Sequence, residues 1–402
     1  MTHGVSIMTR TLLTCAAAAL AGCNLGDGLR AHAEIGKALS QPAQSPPAAM
    51  EIRGRVPIVH LYGTPREMGT QYGTLLREPL RALRRYLHAF LSQPFRERML
   101  AIARAAEPAL PEAIREELRA ISEASGVPYD ELAALNAVPK IRCTAFAVWG
   151  SARCADGDSV GSGGTSGSPD PNFGLLMGRN GDYFPLGLSD RGMLLVVRHP
   201  KEGLATASAN FLGMIGDFTA INERGVCYGN LLVFNAAGPQ LQDGGLPIQV
   251  AMRVAGQKAR TAAEMATELE SMRQVIPMNV MVADANEAIV LELGLAASRR
   301  RTGENGVLAV SNYFLTPDLR AMPMACPRYE GLLSAARRNR SRMTVEAMEA
   351  ALYDAHVPGL NLQAVVFEPA AMRIHVSINR QPASAGPYES LDLRELLRRQ
   401  PR

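Results

Sequence analysis

A cysteine opens the most strand-like stretch of this sequence. Ile141-Arg142-Cys143-Thr144-Ala145-Phe146-Ala147-Val148-Trp149-Gly150 is apolar, β-branched and aromatic, and ends at a glycine. A thiol at the head of a core strand serves either as a packed small hydrophobe or as a nucleophile held at the rim of a sheet. Four polar clusters follow at the ends of later strand-like runs. They are Gly178-Arg179-Asn180-Gly181-Asp182, Asn222-Glu223-Arg224-Gly225 leading into Val226-Cys227-Tyr228-Gly229-Asn230, Ser311-Asn312-Tyr313-Phe314, and Cys326-Pro327-Arg328-Tyr329. Taken singly each is ordinary, since turns of this composition are common and surface Arg–Asp pairs contribute little. A papain-like thiol protease needs a histidine base, and His60, His88, His199, His356 and His375 stand in no recognisable context; His60 reads as a half-buried strand residue and His375 as an outward one. The Gly/Ser run at 161–168 lacks the Lys-Ser or Lys-Thr that ends a phosphate loop. No Cys-x-x-Cys or His-x-x-x-His spacing marks a metal site, and no cofactor is expected.

The elements that must position these residues come in two blocks. Thr64-Pro65-Arg66-Glu67 is a capping box with proline at the first helical position. Behind it Met68, Tyr72, Leu75, Leu76, Leu80, Leu83, Leu87 and Phe90 form one apolar stripe, and helix continues over 64–138 with an interruption near Pro108 and Pro111. From Cys143 the period changes to that of strands, at 143–149, 174–178, 193–198, 204–208, 218–221, 226–233, 279–284, 288–293 and 307–311, closing with a hairpin at 363–368 and 372–377. A Gly, Ser, Asp and Pro loop at 155–171 joins the first two. Helices are expected at 247–272 in two pieces, 326–338 and 344–354. Antiparallel strands with helices in blocks predict an α+β layered domain.

The 402 residues are 47% hydrophobic and 20% charged, an ordinary globular composition. A net charge of +4 is too small for this length to argue for a nucleic-acid partner. At the N-terminus, Arg10 precedes the short apolar run 11–20 and then Leu20-Ala21-Gly22-Cys23, which resembles a bacterial lipobox. The expected organisation is a signal peptide over 1–22, a flexible tether over 23–50 starting at lipidated Cys23, a helical portion over 51–142 and a strand-rich portion over 143–402. The expected location is the bacterial cell envelope, lipid-anchored and facing the periplasm or the outer surface. Cys15 leaves with the signal, and any two of Cys143, Cys154, Cys227 and Cys326 could pair.

In their order along the chain, Cys143-Thr144-x-Phe146, Gly178-Arg179-Asn180-x-Asp182, Asn222-Glu223-x-Gly225 with Gly229-Asn230, Ser311-Asn312-Tyr313-Phe314 and the late Arg328 resemble the N-terminal-nucleophile hydrolases of the acyl-coenzyme A:isopenicillin N acyltransferase type. More distantly they resemble bile salt hydrolases and acid ceramidases. Gly69-Thr70-Gln71-Tyr72-Gly73 is similar to the α portion of that family, so the resemblance runs over about residues 55–395. It implies a four-layer αββα sandwich and a chain that cuts itself between Arg142 and Cys143, the two pieces staying associated.

The cut exposes an α-amino group beside the Cys143 thiol, and with a pKa near ~7.7–8.0 that amine can act as the thiol's base. The thiol then attacks a linear amide, in an N-acyl compound or a short peptide, and forms a thioester that water or an acceptor amine resolves. By position, the resemblance implies that Arg179 favours the thiolate, Asp182 orients the α-ammonium, Asn230 and Asn312 donate to the oxyanion, and Arg328 supports the site or meets a substrate carboxylate. Two positions depart from the family pattern. Arg142 stands where a small residue is common, which slows the cut or alters the loop, and Gly181 stands where a larger residue is usual, which opens the pocket. The alternatives are an acyltransferase that passes the group to an amine, and a non-catalytic lipoprotein of the same fold that binds acylated amides.

Overall fold

Alternation along the strands builds two sheets, and the periodic helices cover their outer faces. The computed structural model describes residues 25–137, 141–153, 174–183, 191–340 and 342–400. The signal segment with Cys15, the lipobox Cys23, Cys154 and the loop 155–171 lie outside the described residues. The strands are β1 (Ala43–Ser45), β2 (Ala48–Arg53), β3 (Val56–Gly63), β4 (Ile141–Val148), β5 (Leu176–Tyr183), β6 (Met193–Pro200), β7 (Thr206–Phe211), β8 (Thr219–Asn222), β9 (Cys227–Leu232), β10 (Met278–Ala283), β11 (Ala288–Leu293), β12 (Ser298–Thr302), β13 (Val307–Val310), β14 (Asn361–Glu368), β15 (Arg373–Ile378) and β16 (Glu389–Asp392). One sheet has ten strands in the order β1-β2-β3-β6-β7-β8-β9-β10-β11-β12; the other has six, β13-β4-β5-β14-β15-β16. Only β3 and β6 pair in parallel among these.

The inner faces meet in the main core. Ile58, Leu195, Val197, Ala207, Ile221, Met281 and Val290 of the larger sheet lie against Cys143, Ala145, Met177, Val365 and Val376 of the smaller. On the outer face of the larger sheet, Val59, Leu61, Leu194 and Val196 receive α1 (Leu25–Leu39), α2 (Pro65–Leu75), α3 (Arg77–Phe90), α4 (Gln93–Ala106), α5 (Glu112–Ser125) and α6 (Tyr129–Ala137). Further along that face α7 (Ile248–Gly256) and α8 (Ala262–Glu270) cover Tyr228, Val280 and Leu291. On the outer face of the smaller sheet, α9 (Pro327–Arg338) and α10 (Val345–Asp354) cover Phe146, Leu176 and Val366. The result is the α+β, four-layer αββα sandwich. Thr64 caps α2 as expected, its side chain accepting from Glu67 N while Glu67 Oε2 accepts from Thr64 N at 2.7 Å. No helix among the described residues is long and apolar enough to cross a membrane.

Two expectations are corrected. The described part of 23–50 is not a tether: α1 buries Ala31, Ile35 and Leu39 at four-residue spacing against the helical layer, and β1 and part of β2 follow. Within 51–142 the strand-like run that carries His60 forms β3, which pairs with β6 and joins the larger sheet ahead of the helices. The second strand of the hairpin runs on to Tyr183 rather than stopping at 178, so Arg179 and Asp182 lie within a strand. Pairing on both sides, with β4 and β14, satisfies the backbone there and lets polar side chains sit inside the sheet. Cys143, Cys227 and Cys326 are free thiols.

Candidate active site

β4 and β5 form an antiparallel hairpin in which Cys143 faces Gly181, Ala145 faces Arg179 and Arg142 faces Asp182. Strand alternation sends Cys143 and Arg179 to the same, inter-sheet side. There the three polar atoms of Cys143 each have a partner. Arg179 Nη2 donates to Cys143 Sγ at 3.3 Å. Cys143 N donates to Asn312 Oδ1 at 2.8 Å. Arg328 Nη1 donates to Cys143 O at 3.1 Å. Arg328 ties the group together, since Nη2 donates to Asn312 Oδ1 at 2.9 Å and Nη1 lies 3.4 Å from Asp182 Oδ2. Asp182 Oδ1 accepts from Asn361 Nδ2 at 2.9 Å.

Arg179 is wholly buried, with both terminal guanidinium nitrogens held and Nε without a hydrogen-bond partner. Nη1 donates to Gln363 Oε1 at 3.0 Å and to Thr219 Oγ1, Nη2 donates to Asn230 O at 2.6 Å, and the guanidinium lies 4.1 Å from the centroid of Phe218. The larger sheet makes room at Gly229, where a Cβ would stand 2.5 Å from Arg179 Nε. Asn361, Gln363, Thr219 and Phe218 carry no sequence signal that marks them; they come from β14, from β8 and from the residue before it.

The electrostatics are set by burial. The Cys143 thiol is pushed up to about 11 by desolvation, with Arg179 pulling the other way. The nearby guanidinium thus favours the thiolate without producing one in the uncut chain. Asp182 is raised to about 6 by burial, against the Asn361 hydrogen bond and the charge of Arg328. The Arg179 guanidinium is itself shifted downward by burial.

The structure brings Cys143, Arg179, Asp182, Asn312 and Arg328 together, with Arg142 on the preceding residue of β4. Asn230 is placed differently from the expectation. Gly229 faces the inter-sheet side, so the Asn230 side chain points to the opposite face with Tyr228, where its buried amide has no hydrogen-bond partner. Its backbone carbonyl is what reaches the site, through Arg179. The Asn312 amide donates to Leu232 O at 2.7 Å, so its carbonyl oxygen, not its N–H, faces Cys143. Gly181 does not open a pocket: a Cβ there would stand 3.0 Å from the ring of Phe218, which fills that space. Of the histidines, His60 is fully buried against His199 and Arg399, and His375 pairs with Glu368 at 2.8 Å. The partner of the Cys143 sulfur is an arginine.

Comparison with known proteins agrees with the motifs. Residues 170–353 match the family model for acyl-coenzyme A:6-aminopenicillanic acid acyl-transferase. That stretch holds Arg179, Asp182, Asn230, Asn312 and Arg328 and begins after Cys143. No curated protein matches the sequence. Among solved structures the chain is similar to a Caenorhabditis elegans ortholog of N-acylethanolamine-hydrolyzing acid amidase (15% identity, 57% of this chain and 93% of that one, TM-score 0.42). It is also similar to a mutant conjugated bile acid hydrolase from Clostridium perfringens (11%, 63% and 93%, TM-score 0.44) and to penicillin V acylase from Agrobacterium tumefaciens (13%, 63% and 87%, TM-score 0.45). Ordered motifs and family model together identify the chain as an enzyme of the amide-hydrolase and acyltransferase kind, related through residues 170–353 to the acyl-coenzyme A:6-aminopenicillanic acid acyl-transferases.

Proposed function

We propose that this is a self-processing cysteine amidase that opens linear C–N amides through a thioester on Cys143. The observation that carries the reading is the convergence of Arg179, Asn312 and Arg328 on the sulfur, nitrogen and carbonyl of that one residue. In the first step the sulfur attacks the Arg142 carbonyl carbon. The C–N bond breaks as the C–S bond forms, the thiol proton passes to the departing nitrogen, and water hydrolyses the thioester. That leaves a carboxylate on Arg142 and restores the thiol.

In turnover the freed α-amine takes the thiol proton. The sulfur attacks a substrate carbonyl, the amine receives the proton as it leaves, and water or an acceptor amine removes the acyl group. Arg179 supports the thiolate, and Asn312 holds the nitrogen that becomes the base. Asp182 serves as the counter-charge to the ammonium, with Arg328 keeping Asp182 and Asn312 in register. Because the Asn230 and Asn312 amides both point elsewhere in the uncut chain, neither is assigned to the oxyanion. Leu20-Ala21-Gly22-Cys23 supports a lipid-anchored enzyme in the cell envelope.

Intact mass under denaturing conditions tests this. The expected result is two pieces, 23–142 with lipid and 143–402, while Cys143→Ala gives one piece and no turnover. A chain that stays whole yet hydrolyses amides through Cys143 would overturn the α-amine base and leave the nucleophile standing.

A further inference from the structure

We propose that the ring of Phe234 is the acyl-side subsite of this enzyme and that it selects acyl groups carrying a cation at the reach of an arginine side chain. The inference rests on the self-cleavage reading. The carbonyl cut in self-processing belongs to Arg142, so Arg142 is the first acyl group the sulfur attacks. The same sulfur later attacks a substrate carbonyl at the same place, which puts the substrate's acyl side chain where that of Arg142 lies. In the uncut chain the Arg142 guanidinium sits over Phe234, with its carbon 5.5 Å from the ring centroid.

Phe234 is built to stay there. Its N–H donates to Asn312 O at 2.9 Å, while Asn312 Oδ1 accepts from Cys143 N at 2.8 Å. One residue thereby registers the ring against the bond to be broken. The next residue clamps the loop: Asn235 Nδ2 donates to Phe314 O at 3.1 Å and Met322 O at 3.0 Å, and Asn235 Oδ1 accepts from Phe314 N at 2.7 Å. With this scaffold Phe234 remains 49% exposed, an aromatic face turned outward beside Arg142, the residue before the nucleophile. Departure of the segment ending in Arg142 leaves that face open for an incoming cation.

Three fluorogenic amides test the subsite: the aminomethylcoumarin amides of acetyl-Ile-Arg, acetyl-Ile-citrulline and acetyl-Ile-norleucine. Arginine and citrulline match in shape and differ in charge. The processed enzyme should show kcat/KM roughly two- to fivefold higher for arginine than for citrulline, the size of an exposed cation–π contact. Phe234→Leu should erase that ratio and Phe234→Tyr should keep it, which separates loss of the ring from loss of folding. By calorimetry, acetyl-Ile-Arg with a free carboxylate should bind the cut protein more tightly than uncut Cys143→Ala, where the Arg142 guanidinium already lies over the ring. A flat arginine-to-citrulline ratio, a ratio unmoved by Phe234→Leu, turnover confined to other amides, or equal binding to the uncut chain each overturns the subsite while Cys143 chemistry stands. A wild-type chain that stays whole and inert toward every amide overturns both.

Discussion

At the scale of single residues, the site is assembled before it is charged. In the uncut chain Cys143 has no free amine, its thiol is raised to about 11, and Asp182 is raised to about 6. Both shifts come chiefly from burial, so the uncut site favours neutral groups. The proposed cut would create an ammonium on Cys143, and a new positive charge in this site favours the Asp182 carboxylate. This gives a pH signature with a definite sign. A carboxyl raised above its unfolded value of 3.8 contributes stability below that value and loses it as pH rises through about 6. Uncut Cys143→Ala should therefore lose on the order of 3 kcal/mol between pH 4 and 7 through this residue. Asp182→Asn in the same background should remove that slope. Urea denaturation at a series of pH values reads the difference; parallel curves would mean that Asp182 is ionised throughout.

At the scale of elements, the alternation of β4 is what the sequence announces best. Cys143, Ala145 and Ala147 against Thr144, Phe146 and Val148 give a two-faced strand, and the structure puts the first set between the sheets and Phe146 and Val148 under the outer helices. The stripe from Met68 to Phe90 and the two pieces of 247–272 are legible for the same reason, since periodicity is local. What holds Arg179 is not local. Thr219, Asn230 and Gln363 reach it from β8, β9 and β14, far apart in sequence, and no spacing announces that they meet. Asn230 shows how narrow the margin is: one step from Gly229 along the strand moves a side chain to the other face. The residue of β9 that matters to the site is thus the glycine. Gly229→Ala would drive a Cβ into Arg179 and displace its guanidinium from the sulfur. The expected outcome is a folded protein whose self-cleavage rate falls by about a hundredfold or more, comparable to losing one electrostatic donor. Denaturing electrophoresis over time after refolding checks it, with circular dichroism confirming the fold; unchanged cleavage would show that Arg179 has room to spare.

At the scale of the whole molecule, the proposed cut falls inside β4, yet the piece that precedes it is woven through the fold. β3 lies between β2 and β6 in the larger sheet, pairing in parallel from Ile58 to Gly63. Asn136 Oδ1 accepts from Ile215 N at 2.8 Å, and Tyr72 OH accepts from Gly213 N at 2.9 Å. Most telling is a buried bidentate pair across the two pieces: Arg253 Nη1 and Nη2 donate to Glu117 Oε1 and Oε2 at 3.0 and 2.6 Å. Arg253 also donates to Ile215 O at 2.8 Å, so the pair is anchored in the sheet. Such a pair contributes little net stability but makes mismatch expensive, because removing one charge strands the other. The two pieces should therefore elute together after processing and separate only on unfolding. Glu117→Gln should destabilise the processed protein by about 3–5 kcal/mol, and Glu117→Leu combined with Arg253→Met should recover most of that loss. Urea unfolding of the processed protein, followed by size-exclusion chromatography, measures both. If Glu117→Gln leaves the midpoint where it was, the pieces are held by strand pairing and apolar burial alone, and the ion pair is a passenger.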